Sequence, residues 1–399
     1  MPKISERGLR MPASPIRRLV PYAEAAKSSG TVVYHLNIGQ PDIATAPAFW
    51  EGIAGYREKV LSYSHSAGLA SYRQAYAQQL NQKGYGLSAD DVLISTGGSE
   101  ALVMAMMACF DPGDEILIPE PFYANYNGFA AMGGVVLRPF TTLIEENFAL
   151  PAVEDLAGAV GPKTRAIMIC NPNNPTGTLY TRQELAGLAA LAKAHDLFLI
   201  ADEVYREFVY DGLEHDSILS LEGMEEHAVV VESTSKMYSA CGARIGALIT
   251  RNRDLMGTIL KYAQARLSPP TLDQAGALSA LLHTGRDYFD GVRSEYVARR
   301  NTMVQALNAL PGVQCPLPGG AFYAVARLPI DDSDAFCQWM LEHHRHEGAT
   351  VMMAPATGFY ATPGLGKQEV RLAYVLDQES LVRAMDCLAT GLEAYNARG

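Results

Sequence analysis

Between residues 92 and 265 the chain alternates short, largely apolar runs with longer stretches of helical period. The apolar runs fall at 92–95, 115–119, 165–170, 197–201, 228–232 and 245–250. Runs this short, apolar but for a residue at an end, predict buried strands, and strands that alternate with helices form a mostly parallel sheet. From residue 288 the pattern changes. An amphipathic helix is predicted over 288–310, with Arg293, Arg299 and Arg300 on its polar side. A strand over 319–327, a helix over 334–347, a strand over 369–375 and a terminal helix capped by Asp377 follow. The pattern predicts an α/β protein with a large, mostly parallel domain and a smaller α+β domain.

The first 35 residues read as an arm and a short helix near 14–27, broken by Pro21. A Gly-Gln-Pro turn follows at 39–41, where Gly39 lets a ligand approach the backbone or simply makes the turn. Residues 47–83 are helical in pattern, interrupted at 62–68 by SYSHSAG, which carries Tyr63 and His65. His65 has no spaced partner and reads equally as an ordinary loop histidine.

Composition narrows the class. At 399 residues the chain is too long for one ordinary core. The net charge of −11 argues against a nucleic-acid or anionic-membrane partner. No apolar run has the length to span a bilayer, and the polar, basic start is unlike a secretory signal. The six cysteines are scattered, which suits reduced thiols in the cytoplasm rather than a disulfide framework or a zinc site.

The polar segments after the strands carry the candidate chemistry. Thr-Gly-Gly-Ser-Glu at 96–100 opens a helix and gathers free backbone N–H groups at its positive end, a plausible phosphate cradle. It matches neither nucleotide-binding glycine signature. Tyr123 stands where an aromatic stacks on a flat ring or packs in the core. Residues 171–177, NPNNPTG, are dense turn chemistry whose amides suit a ligand oxygen. Asp202 ends an apolar strand, where a carboxylate is costly unless paired; a protonated ring nitrogen or a helix cap serves. In 233–246, STSKMYSACGARIG, Lys236 stands alone among small and hydroxyl residues. Burial there lowers an amine's pKa and frees it as a nucleophile toward carbonyls, while Ser233, Ser235 and Arg244 suit a phosphate dianion. Arg371 lies on an apolar strand face, which suggests a bound carboxylate. Three histidines at 343, 344 and 346 do not converge as metal ligands and read as a solvated helix end.

Taken together and in order, IGQPD, TGGSEAL, PFY, NPNNPTG, ADEVY, STSKMYSACGARIG and RLAY resemble the class I aminotransferases of fold type I, which depend on pyridoxal phosphate. The resemblance runs from about residue 14 to the end. It implies a seven-stranded, mostly parallel sheet sandwiched by helices in a large domain over 41–287. A discontinuous small domain would span 14–40 and 288–399, after an arm over 1–13. It implies amino transfer from an L-amino acid to a 2-oxo acid such as 2-oxoglutarate, in a ping-pong cycle through a lysine aldimine. Lys236 would hold the cofactor and move the proton. Asp202 would pair with the ring nitrogen, Asn174 and Tyr205 with the ring's phenolic oxygen, and Tyr123 would stack on the ring. Gly98, Ser99 and Glu100 (through its backbone N–H), with Ser233 and Arg244, would hold the phosphate, while Thr234 and Ser235 stand by. Arg371, Asn174 and Gly39 would take the substrate carboxylate. Tyr63 would reach the partner subunit's phosphate, which implies a homodimer. C–S lyases and other eliminating enzymes share the same motifs. The donor stays open among aspartate, aromatic and alanine types. Arg17, Arg18, His65 and Arg266 are candidates for a distal carboxylate by charge, while 121–126 with Phe359 and Tyr360 would suit an apolar side chain.

Overall fold

A computed structural model describes residues 2–398. Its strands are β1 (Val32–His35), β2 (Val92–Ser95), β3 (Glu115–Glu120), β4 (Val136–Thr141), β5 (Thr164–Cys170) and β6 (Phe198–Asp202). They continue with β7 (Ala228–Ser233), β8 (Gly246–Ile249), β9 (Tyr323–Arg327), β10 (Ala349–Met352), β11 (Ala354–Pro355) and β12 (Glu369–Ala373). Seven of them form one sheet in the order β2-β8-β7-β6-β5-β3-β4, in which β8 alone runs antiparallel to its neighbours. This is the fold type I architecture.

The apolar runs are explained by the two cores that the sheet separates. Leu93, Ile116, Met168, Ile200, Val229 and Leu248 pack into one. Ile94, Leu117, Ile167, Leu199, Val230 and Ile249, each one residue away, pack into the other. Because consecutive strand side chains point to opposite faces, both must be apolar when helices cover both sides. The helix Gly97–Cys109 contributes to the first core and the helix Arg182–Ala194 to the second. Thr181 and Glu184 form a reciprocal capping box that fixes where the latter starts. Six of the seven strands thus run the same way, and the C-terminal ends of β2, β5, β6 and β7 carry polar segments.

The remaining strands join distant parts of the chain. β1 pairs in parallel with β10, and β12 lies antiparallel between β11 and β9. The helix Arg286–Asn308 leads from the large sheet to these strands.

Several sequence expectations need correction. Pro21 starts a helix rather than breaking one: the helix is Val20–Ser28, and a proline in the first turn loses no intrahelical bond. The strand β4 was not expected, since its outer positions are half-exposed and include Arg138 and Pro139. Arg299 and Arg300 are buried, not on a polar face. Arg299 pairs with Asp42 and Glu295, and Arg300 with Asp211 at 2.7 Å and the Pro318 carbonyl at 2.9 Å. Most of these partners lie far along the chain, where helical periodicity cannot register them. The helix expected over 334–347 is Ser333–Glu342, and His344 is buried with its ring bonded to the Thr390 hydroxyl at 3.0 Å. No cluster of metal-ligating side chains exists among the described residues.

Candidate active site

The strand ends β2, β5, β6 and β7 open into a cavity of about 330 Å³. Its other wall comes from 14–17, 37–40, Tyr323 and Arg371. Eleven of the thirteen residues singled out by motif line it: Gly39, Gly98, Ser99, Tyr123, Asn174, Asp202, Tyr205, Ser233, Lys236, Arg244 and Arg371.

Lys236 lies on the single helical turn Thr234–Met237 that follows β7. Its Nζ donates to the Gly39 carbonyl at 2.6 Å and stands 3.7 Å from the Cys241 sulfur. Burial lowers its pKa, which favours the neutral amine. A Cβ on Gly39 would overlap the Tyr323 hydroxyl, so only glycine allows this approach. Asp202 ends β6, accepts from the Tyr126 hydroxyl at 2.7 Å and is raised to about 6 by burial. Tyr205 and Tyr323 share a hydrogen bond of 3.0 Å between their hydroxyls.

Arg371 is fully buried. It donates to Asn174 Oδ1 at 3.2 Å and to the Asn37 carbonyl, while its Nε has no partner. Phe359 and Tyr323 flank the guanidinium at 4.9 and 4.6 Å from their ring centres. An arginine this buried, which lines a cavity and keeps one donor unpaired, is built for an anion.

At the opposite end no side chain caps the helix Gly97–Cys109, so its first N–H groups stay free. Gly97 has φ +74°, and a Cβ there would strike the Arg244 guanidinium. Arg244 donates to the Cys241 carbonyl at 3.0 Å and approaches the Ser235 hydroxyl at 3.5 Å. Free helix N–H groups, Ser233, Ser235 and Arg244 fit a phosphate dianion. Asp202 fits a protonated ring nitrogen, and Lys236 a carbonyl carbon. The donor set therefore suits pyridoxal phosphate.

Two motif residues lie apart from the cavity. The Glu100 carboxylate accepts from the Thr96 N–H at 2.7 Å and pairs with Arg266 at 3.1 Å, so these partners engage its side chain. Tyr63 is 80% exposed on the loop before the helix Ala70–Asn81. Sequence reasoning overlooked Tyr126, Tyr323, Asn37 and Cys241, and Ser235 lines the cavity instead of standing by. Tyr126 had a signal in the aromatic cluster 121–126, and Tyr323 stands opposite Ala373 on the strand next to that of Arg371.

The chain matches the family model for class I and II aminotransferases over residues 31–388 and belongs to that family. It is 30% identical to an aspartate aminotransferase of Musicola paradisiaca, covering 100% of this chain and 98% of the relative. It is 31% identical to aromatic-amino-acid aminotransferase 2 of Thermococcus litoralis, over 96% of each. The solved alanine aminotransferase of Pyrococcus furiosus superimposes with a TM-score of 0.90 at 29% identity, covering 98% of this chain and 100% of that one. The protein is a pyridoxal-phosphate-dependent aminotransferase.

Proposed function

We propose that this aminotransferase moves the amino group of an aspartate-, aromatic- or alanine-type L-amino acid to a 2-oxo acid such as 2-oxoglutarate, in a ping-pong cycle. The relatives named for aspartate, aromatic amino acids and alanine support the donor range. One observation carries the site reading: Asp202, the Lys236–Arg244 loop and Arg371, far apart in sequence, converge on a single cavity.

Bound pyridoxal phosphate supplies an electron sink that lets the substrate Cα–H bond break. In this reading Arg371, with Asn174 and the Gly39 backbone, holds the α-carboxylate and so fixes where Cα lies. Lys236 Nζ, whose pKa burial lowers, would move the proton at Cα from the one side of the substrate that it faces. Asp202 holds a proton on the ring nitrogen, and Tyr126 keeps that carboxylate in place. Asn174 and Tyr205 reach the ring oxygen, Tyr123 stacks on the ring, and Gly98, Ser99, the Glu100 backbone N–H, Ser233 and Arg244 take the phosphate.

We also place the domain boundaries at 14–40 with 288–399 and at 41–287, with closure on substrate binding. Pairing of β1 with β10 supports that division. We read the functional unit as a homodimer in the cytoplasm. Exposed Tyr63, Val60 and Leu61 on one loop support the dimer, and six unpaired cysteines support a reducing compartment. No helix among the described residues is long and apolar enough to cross a membrane.

The test is the visible spectrum of the loaded protein with single L-amino acids. A cofactor band that bleaches with one donor, releases one equivalent of oxo acid and returns on adding 2-oxoglutarate is expected. Release of ammonia with repeated turnover and no acceptor would replace transfer by elimination.

A further inference from the structure

We propose that Arg17 binds the distal carboxylate of a dicarboxylic donor and acceptor, which makes the site selective for acidic substrates. This rests on the reading above, in which Arg371 takes the α-carboxylate.

The structure separates the four basic residues that charge alone left equal. Arg18 pairs with Asp334. Arg266 pairs with Glu100 and donates to the Ser66 carbonyl at 3.0 Å. His65 accepts from the Ala67 N–H at 3.1 Å and does not line the cavity. Arg17 lines the cavity, and among the described residues its side chain makes no ion pair or hydrogen bond.

Charge gives the second argument. Three arginines line the cavity, Arg17, Arg244 and Arg371. The cofactor's phosphate gives Arg244 a partner, and the substrate's α-carboxylate gives Arg371 one. Among the described residues that line the cavity, Arg17 is then the guanidinium with no anion beside it in this reading.

Placement gives the third. Ile16 packs with Ala124, Phe359 and Tyr360, and Pro15 sits against Gly358, where a Cβ would overlap it. Asp334, the partner of Arg18, also accepts from the Thr357 hydroxyl at 2.7 Å. The residues on both sides of Arg17 are therefore fixed to the turn 356–360. That same turn lays Phe359 on the Arg371 guanidinium. One support thus holds both guanidiniums over one cavity, as recognition of two carboxylates at a fixed spacing requires.

The experiment compares wild type, Arg17→Ala and Arg17→Lys, each loaded with cofactor. The ratio of kcat/KM for glutamate or aspartate over alanine should fall about 10- to 100-fold in Arg17→Ala, the loss expected for charge-assisted hydrogen bonds. Arg17→Lys should recover part of it. Calorimetric binding of maleate, a dicarboxylate that cannot react, should weaken by a similar factor relative to propionate. Equal weakening of both anions, or a wild type that favours aromatic donors over acidic ones, would overturn the proposal. Arg371→Ala separates the two readings: it should weaken maleate and propionate alike, and propionate binding that survives it would instead overturn the assignment of the α-carboxylate.

Discussion

The two walls of the cavity are assembled in different ways. The cofactor wall comes from successive crossings of one sheet: the Gly97 helix after β2, Asn174 after β5, Asp202 at the end of β6, and Ser233 and Lys236 after β7. Hydrogen-bonded strand register fixes their spacing, so each loop is held independently of the others. The substrate wall gathers Arg17, Asn37, Gly39, Tyr323 and Arg371 from segments that meet only when the ends of the chain fold together. Arg371 donates to the Asn37 carbonyl within it, and side-chain bonds tie it to the cofactor wall: Tyr323 with Tyr205, Lys236 with Gly39 and Arg371 with Asn174. A sheet-borne wall preserves one chemistry, and a packed wall can change what it accepts without disturbing that chemistry.

The largest effect should come from the cofactor wall. Lys236→Ala removes the amine we propose to move the proton, and turnover should fall about 10⁴-fold. Absorbance after dialysis should show the cofactor lost faster than from wild type. If activity stayed within tenfold, the proton would have to move by another group.

Arg371→Leu strikes the substrate wall and removes one donor to Asn174 on the other. Loss of a buried partner for a carboxylate costs about 2–5 kcal/mol, or roughly 30- to several thousandfold in kcat/KM. Cofactor affinity, measured by fluorescence titration, should stay close to wild type. A joint loss of substrate and cofactor binding would mean that the walls are coupled.

The contrast also explains what the sequence revealed. Lys236, Asp202 and Asn174 were legible because each follows an apolar strand, and a polar residue at that boundary stands out. Arg371 was legible because it breaks an apolar face. Tyr126 and Tyr323 were not, since an aromatic in an aromatic cluster reads as core and only its tertiary partners make it part of a site. Glu100 was legible as a helix-start position, and its carboxylate turns toward Arg266, far along the chain. Arg299 and Arg300 were misread because most of their partners lie on other segments.

A pH effect of intermediate size sharpens the comparison. Burial raises Asp202 from 3.8 to about 6, so in the empty protein its ionisation disfavours folding. That contribution to stability is present below about pH 4 and lost as pH rises to about 6. Cofactor binding should run the other way, because a protonated ring nitrogen prefers the carboxylate. Affinity should weaken by up to about tenfold per pH unit below 6. Asp202→Asn should flatten both dependences, read by thermal melts of the empty protein and by cofactor titration. Propionate binding at the other wall should show no dependence on this substitution.

The smallest effect tests how finely the cofactor wall is tuned. Tyr126 donates to Asp202 Oδ2 at 2.7 Å, and this bond partly offsets the rise caused by burial. Tyr126→Phe keeps the ring, which packs edge-on against Tyr123 at 5.4 Å, and removes only the donor. A hydrogen bond to a charged group contributes about 1.5–3 kcal/mol, so the carboxyl pKa should rise by about one to two units. The pH at which cofactor affinity begins to weaken should rise with it, while affinity well above that pH changes little. A purely packing role for Tyr126 would lower the melting temperature equally at every pH and leave the titration midpoint where it was.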